Sequence, residues 1–289
     1  MMSTLTALSA RKKSRTAQVF RWLWRHAGIT FGGAIIAAIV IAGLLAPWIT
    51  GHAPYTQDLL NTLLSPSANH LFGTDDYGRD IFARVIYGAR ISIVEVVLSV
   101  GLAMLIGIPL GVISGMAGRY IDLVIMWVMD MLFAFPGIVL AILVVSILGG
   151  GLINLLIAIS LFAIPVYARL SRNLTLGLKR MEYVEAAQAL GLSWYRIVVH
   201  YILRNAVGPI IVQSTLTAGT VILAAASLSF LGLGVQPPMP EWGTMMSDGR
   251  NFLGINIYLS LFPGLAIMLT VLGFNVLGDG LRDLLDKRS

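Results

Sequence analysis

Residues 131–168 read MLFAFPGIVLAILVVSILGGGLINLLIAISLFAIPVYA, a run with no charged side chain between Asp130 and Arg169. The hydrocarbon core of a bilayer is about 30 Å thick and a helix rises 1.5 Å per residue, so about 20 apolar residues cross it. The run is too long for one crossing. Gly149-Gly150-Gly151 divides it, because three glycines make continued helix costly and a tight turn easy. Two crossings therefore meet at a glycine turn: one from about Asp122 to Leu148, with Asp130 inside it, and one from about Leu152 to Ala168.

Further crossings lie on either side. Gly28 to Ile49 is a first span, and Ile91 to Met116 a second, interrupted only by Glu95. Ala206 to Val235 and Ile255 to Leu277 complete a predicted set of six. The composition agrees: 57% of the 289 residues are apolar and 12% charged, with a mean hydropathy of +0.84. A soluble domain carries about 25% charged residues, so a soluble enzyme is excluded. The chain has no cysteine, which removes disulfides, thiolate zinc sites and thiol nucleophiles. The predicted organisation is a basic N-terminal segment (1–27), a first transmembrane helix (28–50), an extracytoplasmic loop (51–90), a transmembrane core (91–279) containing a cytoplasmic loop (169–205), and a cytoplasmic tail (280–289). The first span is longer than the 7–15-residue core of a signal peptide and is read as a retained helix.

The basic residues orient these spans. Arg11, Lys12, Lys13, Arg15, Arg21 and Arg25 precede the first; Arg119 follows the second. Arg169, Arg172, Lys179, Arg180, Arg196 and Arg204 lie between the fourth and fifth, and Arg282, Lys287 and Arg288 follow the sixth. All fall on one side, against Arg79, Arg84, Arg90 and Arg250 on the other. The positive-inside rule makes the richer side cytoplasmic and puts both termini there. The net charge of +6 is thus a topology signal and does not point to nucleic acid.

Two loops carry patterns of their own. The outer loop contains Gly73-Thr74-Asp75-Asp76-Tyr77-Gly78-Arg79-Asp80, followed by Ile81, Val85 and Ile86 at helical spacing, which suggests a short surface helix. The aspartates either bind a cation or form a turn in which carboxylates accept backbone N–H bonds and pair with Arg79. Their spacing is not that of a calcium loop. The inner loop contains Glu182-Tyr183-Val184-Glu185-Ala186-Ala187-Gln188-Ala189-Leu190-Gly191, a helix-forming run closed by a glycine suited to a helix C-terminus. Small alanine side chains leave its backbone open to close approach by another surface; a solvated interfacial helix is the alternative.

Glu185-Ala186-Ala187 with Gly191 beyond it, in a basic loop before the next-to-last span, resembles the EAA motif of ABC importer permeases. The segment Leu71–Asp80 with Tyr87-Gly88-Ala89-Arg90 is similar to the outer loop of one subfamily. So are Pro237-Pro238-Met239-Pro240-Glu241-Trp242-Gly243 and Phe274–Asp283, which includes Gly278, Asp279, Arg282 and Asp283. That subfamily is the C-type membrane subunit of dipeptide, oligopeptide and nickel importers, and the similarity spans about Pro47 to Asp286. It implies an all-α polytopic membrane protein with the type I importer permease fold (MetI-like), in a bacterial inner membrane. It also implies pairing with a homologous B-type permease, two ATP-hydrolysing subunits holding ATP and magnesium, and an extracytoplasmic substrate-binding protein. No metal or cofactor is expected on this chain. Glu185–Gly191 would be the coupling helix that docks on an ATPase subunit. The substrate expected is a di- or oligopeptide, with nickel or a metal chelate as the alternative.

Three positions depart from the family pattern. Leu203-Arg204-Asn205 stands where a proline is common, so a straighter start to the fifth span is expected. Met126-Trp127-Val128-Met129-Asp130 lacks the arginine of Met-Arg-x-x-Asp, removing one partner for Asp130. Leu285-Asp286-Lys287 replaces a terminal Leu-Asp-Pro.

Ionisable groups within spans are costly and face protein or water. Glu95, one turn into the second span, is given a structural role within reach of the interface. Asp130 is assigned to the pathway, to a partner-subunit contact, or to backbone near Pro136. A proton relay would instead make this a secondary transporter, which calls for several mid-membrane acids and often inverted repeats. An integral-membrane enzyme finds no support: His26, His52, His70 and His200 are scattered in sequence, and no P-loop occurs. Ser214, Thr217, Thr220 and Ser227 on the fifth span serve as small packing residues or line a polar path.

Overall fold

A computed structural model describes residues 26–286. The basic residues Arg11, Lys12, Lys13, Arg15, Arg21 and Arg25, and Lys287 and Arg288, lie outside the described residues. Within them the chain is helical, with one isolated bridge between Thr74 and Asp80. Helix α1 covers Ala27–Leu44, with a short α2 at Ala46–Ile49. Helix α3 runs Ile81–Met116, α4 Arg119–Phe133, α5 Gly137–Leu148 and α6 Leu152–Leu178. The inner loop holds α7, Glu182–Ala189. Helix α8, Trp194–Ile197, continues through a π turn at Val198–Leu203 into α9, Arg204–Phe230; α10 is Trp242–Gly249 and α11 Tyr258–Asp286.

Five of these runs are long and apolar enough to cross a membrane, and the pair α4 and α5, bent by 88°, makes a sixth where it is one broken span. That bend corrects the expectation of one straight third span. Pro136 has no N–H to donate and disfavours helical backbone at Phe135 before it. Hydropathy records length and polarity but not direction, so the sequence pattern runs through the bend unbroken. The glycine turn stands as expected, with Gly149 at φ +89° and Gly151 at φ +125°.

Helix ends also differ. No separate surface helix follows Asp80. Residues 81–90 are the first turns of the 36-residue α3, whose N-terminus is capped by Asp80 accepting from the Ala83 N–H at 2.7 Å. On the side that the basic residues mark as inner, α6 extends to Leu178 and the fifth helical run begins at Trp194, so that loop is shorter than 169–205. Charged residues mark where a helix leaves the bilayer, not where it stops. The fifth run has no proline at Arg204, and its irregularity is the π turn instead.

The centre of the fold is the contact of α3 with α6, which run parallel, with Ser99 beside Ser160 at one end and Gly115 beside Thr175 at the other. Gly107, Gly111 and Gly115 recur every four residues on one face of α3. A Cβ at Gly111 would lie 2.0 Å from Ser171 Oγ and 2.2 Å from Ala168 O; one at Gly107 would lie 2.7 Å from Ile164 O; one at Gly115 would lie 2.7 Å from Thr175 Cβ. Ser171 Oγ donates across the contact to Ile108 O at 3.2 Å, and Ser160 Oγ donates to Ser99 O at 3.2 Å. Small residues and hydroxyls of this kind hold helices together where lipid provides no hydrophobic drive. Helix α1 docks on α11 in the same way: a Cβ added at Gly32 would lie 2.5 Å from Leu277 N.

Gly111→Ala is expected to cost roughly 2–3 kcal/mol through overpacking, seen as a thermal midpoint several degrees lower for the detergent-purified chain. Gly101, on the same helix, has nothing within 4 Å of its added Cβ; Gly101→Ala should be neutral, or stabilising by up to about 1 kcal/mol. Equal effects at the two positions would contradict the close helix contact.

Candidate functional site

The residues singled out in the sequence gather at two ends of the α3–α6 pair. At the outer end, Asp75 organises the Gly73–Asp80 turn. Its Oδ1 accepts from the N–H groups of Tyr77 and Arg79, each at 2.9 Å, and its Oδ2 accepts from Arg79 Nε at 2.6 Å. Thr74 Oγ1 donates to Asn61 O at 2.6 Å and accepts from Leu64 N at 2.9 Å. Gly73 and Gly78 have φ of +82° and +71°, and a Cβ at either would strike backbone, Leu64 O at 2.2 Å or Asp58 O at 1.8 Å. Both conformation and space therefore demand glycine.

Arg84, one turn into α3, ties this turn to the second outer motif. It is 1% exposed, its Nε lies 3.6 Å from Asp75 Oδ2, and its guanidinium donates to Pro54 O at 3.2 Å and Pro238 O at 3.3 Å. Burial pushes the Asp76 carboxyl above its ordinary value, with Asp75 adding to the effect. Asp248 on α10 is raised by burial too, against the pull of Arg79 and Arg84.

Glu241, Trp242 and Gly243 lock α10 onto this end. The Glu241 carboxylate accepts from Gly243 N and Thr244 N at 2.7 and 2.8 Å, closing the helix N-terminus. Burial raises its carboxyl while these bonds hold it down. Trp242 donates from Nε1 to Val85 O at 2.9 Å and lies over Gly88, where a Cβ would meet its ring at 2.8 Å. Gly243 sits against Ala226 of α9, with 2.3 Å from its added Cβ to Ala226 O.

At the inner end, α7 rests on α3 and α8. Val184 turns inward and is buried with Val112, Ile197 and Ile202, and Ala187 is buried too. Ala187 is thus buried against its own chain, which corrects the expectation that it lies open to a partner. Glu185 and Ala186 are exposed. Gly191, at φ +78°, closes the helix: its N–H donates to Gln188 O at 2.9 Å and the Leu192 N–H to Ala187 O at 3.1 Å, the paired bonds of a Schellman end. Around α7, Met181, Tyr183, Leu190, Trp194 and Tyr195 stand exposed. Gly278, Asp279, Arg282 and Asp283 lie on the inner part of α11. Gly278 is pressed against α9, with 2.7 Å from its added Cβ to Thr215 Oγ1, while Asp279, Arg282 and Asp283 are exposed.

Of the two intramembrane acids, Glu95 departs from expectation and Asp130 gains a partner. Asp130 pairs with Arg169 of α6, Oδ1 to guanidinium nitrogen at 2.6 Å; Asp130 is exposed and Arg169 partly so. The partner replaces the arginine missing at Trp127 and comes from a helix distant in sequence. Glu95 does not reach an interface: it is 1% exposed, and one carboxylate oxygen has no hydrogen-bond partner among the described residues. On α9, Ser214 packs inward, accepting from Tyr167 Oη at 3.2 Å, and Thr217 is buried, whereas Thr220 and Ser227 face grooves. The histidines are not all scattered, since His52 and His70 meet at Asp80.

Residues 107–289 match the family of the binding-protein-dependent transport system inner membrane component. The chain belongs to this family of ABC importer permeases. Residues 14–66 of the permease also match the N-terminal TM domain of oligopeptide transport permease C. It is 47% identical over 271 residues to the dipeptide transport system permease protein DppC of Alkalihalophilus pseudofirmus, covering 94% of this chain and 89% of the relative. It is 42% identical to the glutathione transport system permease protein GsiD of Pectobacterium atrosepticum, over 100% and 96% of the two chains. It is 41% identical to the probable D,D-dipeptide transport system permease protein DdpC of Escherichia coli, over 93% and 90%. A solved structure of the MetNI methionine ABC transporter in inward-facing conformations aligns with a TM-score of 0.56 at 20% identity, over 70% of this chain and 97% of that one. That likeness shows the type I permease fold. The permease is a multi-pass inner-membrane protein of a family of transport subunits, not of enzymes.

Asp75→Ala should leave Arg79 and Arg84 buried without their shared carboxylate, at a cost of about 3–5 kcal/mol. Asp76→Ala removes a half-buried carboxylate beside another and should cost less than about 1 kcal/mol. Thermal unfolding of the two purified variants checks the order, and reversal would show that Asp75 is not the organising group.

Proposed function

We propose that the permease forms one half of the pathway of an ATP-driven importer of di- and oligopeptides. It pairs with a homologous B-type permease, receives substrate from an extracytoplasmic binding protein, and couples through α7 to two ATPase subunits that hold ATP and magnesium. The observation that carries this reading is the apolar rim around α7. Leu190 is 81% and Tyr195 67% exposed at the inner end of two long helices, beyond the apolar length that a bilayer covers. A rim of this kind marks a protein contact, and the buried Val184 anchors it to Val112 of α3, so force applied there reaches the transmembrane helices. Alternating access then follows as a rigid-body rocking of the two permeases when the ATPases close.

The peptide substrate rests on the relatives, whose names give a dipeptide, a D,D-dipeptide and glutathione, all amide-linked. A groove of about 750 Å³ between α9, α10 and α11, lined by Leu223, Ser227, Phe230, Met246 and Met268 among others, supports assigning the pathway to that face. The concentration of arginine and lysine at the α7 end supports cytoplasmic termini.

The test is uptake of a labelled dipeptide by cells carrying Leu190→Asp or Glu185→Lys. Each change should reduce uptake at least about tenfold, because a charge or a reversed charge at the centre of a desolvated contact costs 2 kcal/mol or more. The amount of permease in the membrane should be unchanged. Normal uptake with both changes would remove α7 from the coupling path.

A further inference from the structure

We propose that His52, His70 and Asp80 form a binding site for a borderline divalent transition-metal ion, zinc in type, on the outer face of the permease. The three residues come from separate places in the chain. His52 follows α2, His70 lies in a turn of the outer loop, and Asp80 caps α3. Their ligand atoms lie within 4.8 Å of one another. His70 Nδ1 is 2.9 Å and His52 Nδ1 3.8 Å from Asp80 Oδ2. Zinc–nitrogen and zinc–oxygen bonds of about 2.0–2.2 Å in a tetrahedron put neighbouring ligand atoms about 3.3 Å apart, a value the two distances bracket. Two imidazoles and one carboxylate suit zinc and its neighbours in the first row rather than calcium or magnesium, which take oxygen donors.

Two of the ligands are already held in place. Asp80 Oδ1 is occupied by the Ala83 N–H at 2.7 Å, which directs Oδ2 toward the histidines. The backbone of His70 is pinned by bonds from Ser67 N at 2.8 Å and Gly73 N at 2.9 Å to its carbonyl. His52 is the adjustable member: its side chain is 48% exposed against 18% for His70 and 4% for Asp80, and its ring lies 4.9 Å from that of His70. Closing the site needs only a turn of His52 toward the other two. A cavity of about 490 Å³ borders all three residues, together with Ile49, Asn69 and Phe82. It supplies the route for the ion and room for a water as fourth ligand. The ion would fasten the segment after the first span to the start of α3. Pro54, two residues from His52, already makes that connection through Arg84.

The test uses the full chain, purified in detergent with an affinity tag that contains no histidine and stripped with a chelator. Equilibrium dialysis against Zn²⁺ should show one ion per chain. His52→Ala and His70→Ala should each weaken retention at least about tenfold, since even loss of an outer-shell partner costs that much, while His200→Ala should leave it unchanged. Co²⁺ added to the unmutated chain should give the strong visible absorption of a four-coordinate site, and Zn²⁺ should raise its thermal midpoint. Because these two readouts need no variant, misfolding of a histidine mutant does not blunt the test. Zinc retention by the His52→Ala/His70→Ala double variant equal to that of the unmutated chain would overturn the proposal. So would an unmutated chain with neither the Co²⁺ band nor a zinc-dependent midpoint.

Discussion

Backbone contact between α3 and α6 at Gly107, Gly111 and Gly115 is the constraint on which the rest of the permease depends. In a bilayer, lipid tails are as apolar as leucine, so helices gain little by burying apolar side chains against each other. What favours association is dispersion over a close fit and hydrogen bonds that lipid cannot offer. A Cβ at Gly111 would come within 2.2 Å of Ala168 O, so the helices approach as closely as their backbones permit. Helix α3, with 36 residues, is about 54 Å long at 1.5 Å per residue. It therefore carries the outer turn at one end and the seat of α7 at the other on one stiff element.

Polar contacts fix the pair at both ends. Outside, Arg84 of α3 holds Pro54 and Pro238 carbonyls beside Asp75, and Trp242 lies in the gap that Gly88 leaves. Inside, Arg172 of α6 pairs with Asp122 of α4, which also accepts from Ser114 of α3, and Lys179 donates to Gly115 O at 2.6 Å. Most of these bonds join residues far apart in sequence, and they cluster toward the helix ends. The mid-membrane part of the contact is left to glycine, alanine and serine.

Much of this was legible in the residues. Charge-free runs give the crossings, Gly149-Gly150-Gly151 gives the turn, and the ordered motifs give the family. The four-residue recurrence of Gly107, Gly111 and Gly115 was also legible as a helix-contact pattern, yet hydropathy alone does not distinguish it from lipid-facing glycine. Other features were not readable. The bend at Pro136 changes direction without changing polarity. The partner of Asp130 is Arg169, which only the fold brings near. Asp75, His70 and Arg84 acquire their roles from a turn whose path depends on Gly73 and Gly78 at positive φ. Ala187 reads as an open contact in the motif, but the periodicity of an eight-residue helix is too short to fix which face is buried.

The most direct test of the account is the distance between its two ends during turnover. The chain has no cysteine, so spin labels on Ala68→Cys in the outer loop and Ser193→Cys beside α7 would be the only labels it carries. Pulsed electron resonance of the assembled transporter, with and without nucleotide, would report their separation. The account predicts a single distance distribution that does not move, because outer turn and docking helix travel as one rigid body. A shifted distribution, or a second population on adding nucleotide, would show that α3 and α6 bend or slide, and the close glycine contact would not be what transmits the stroke.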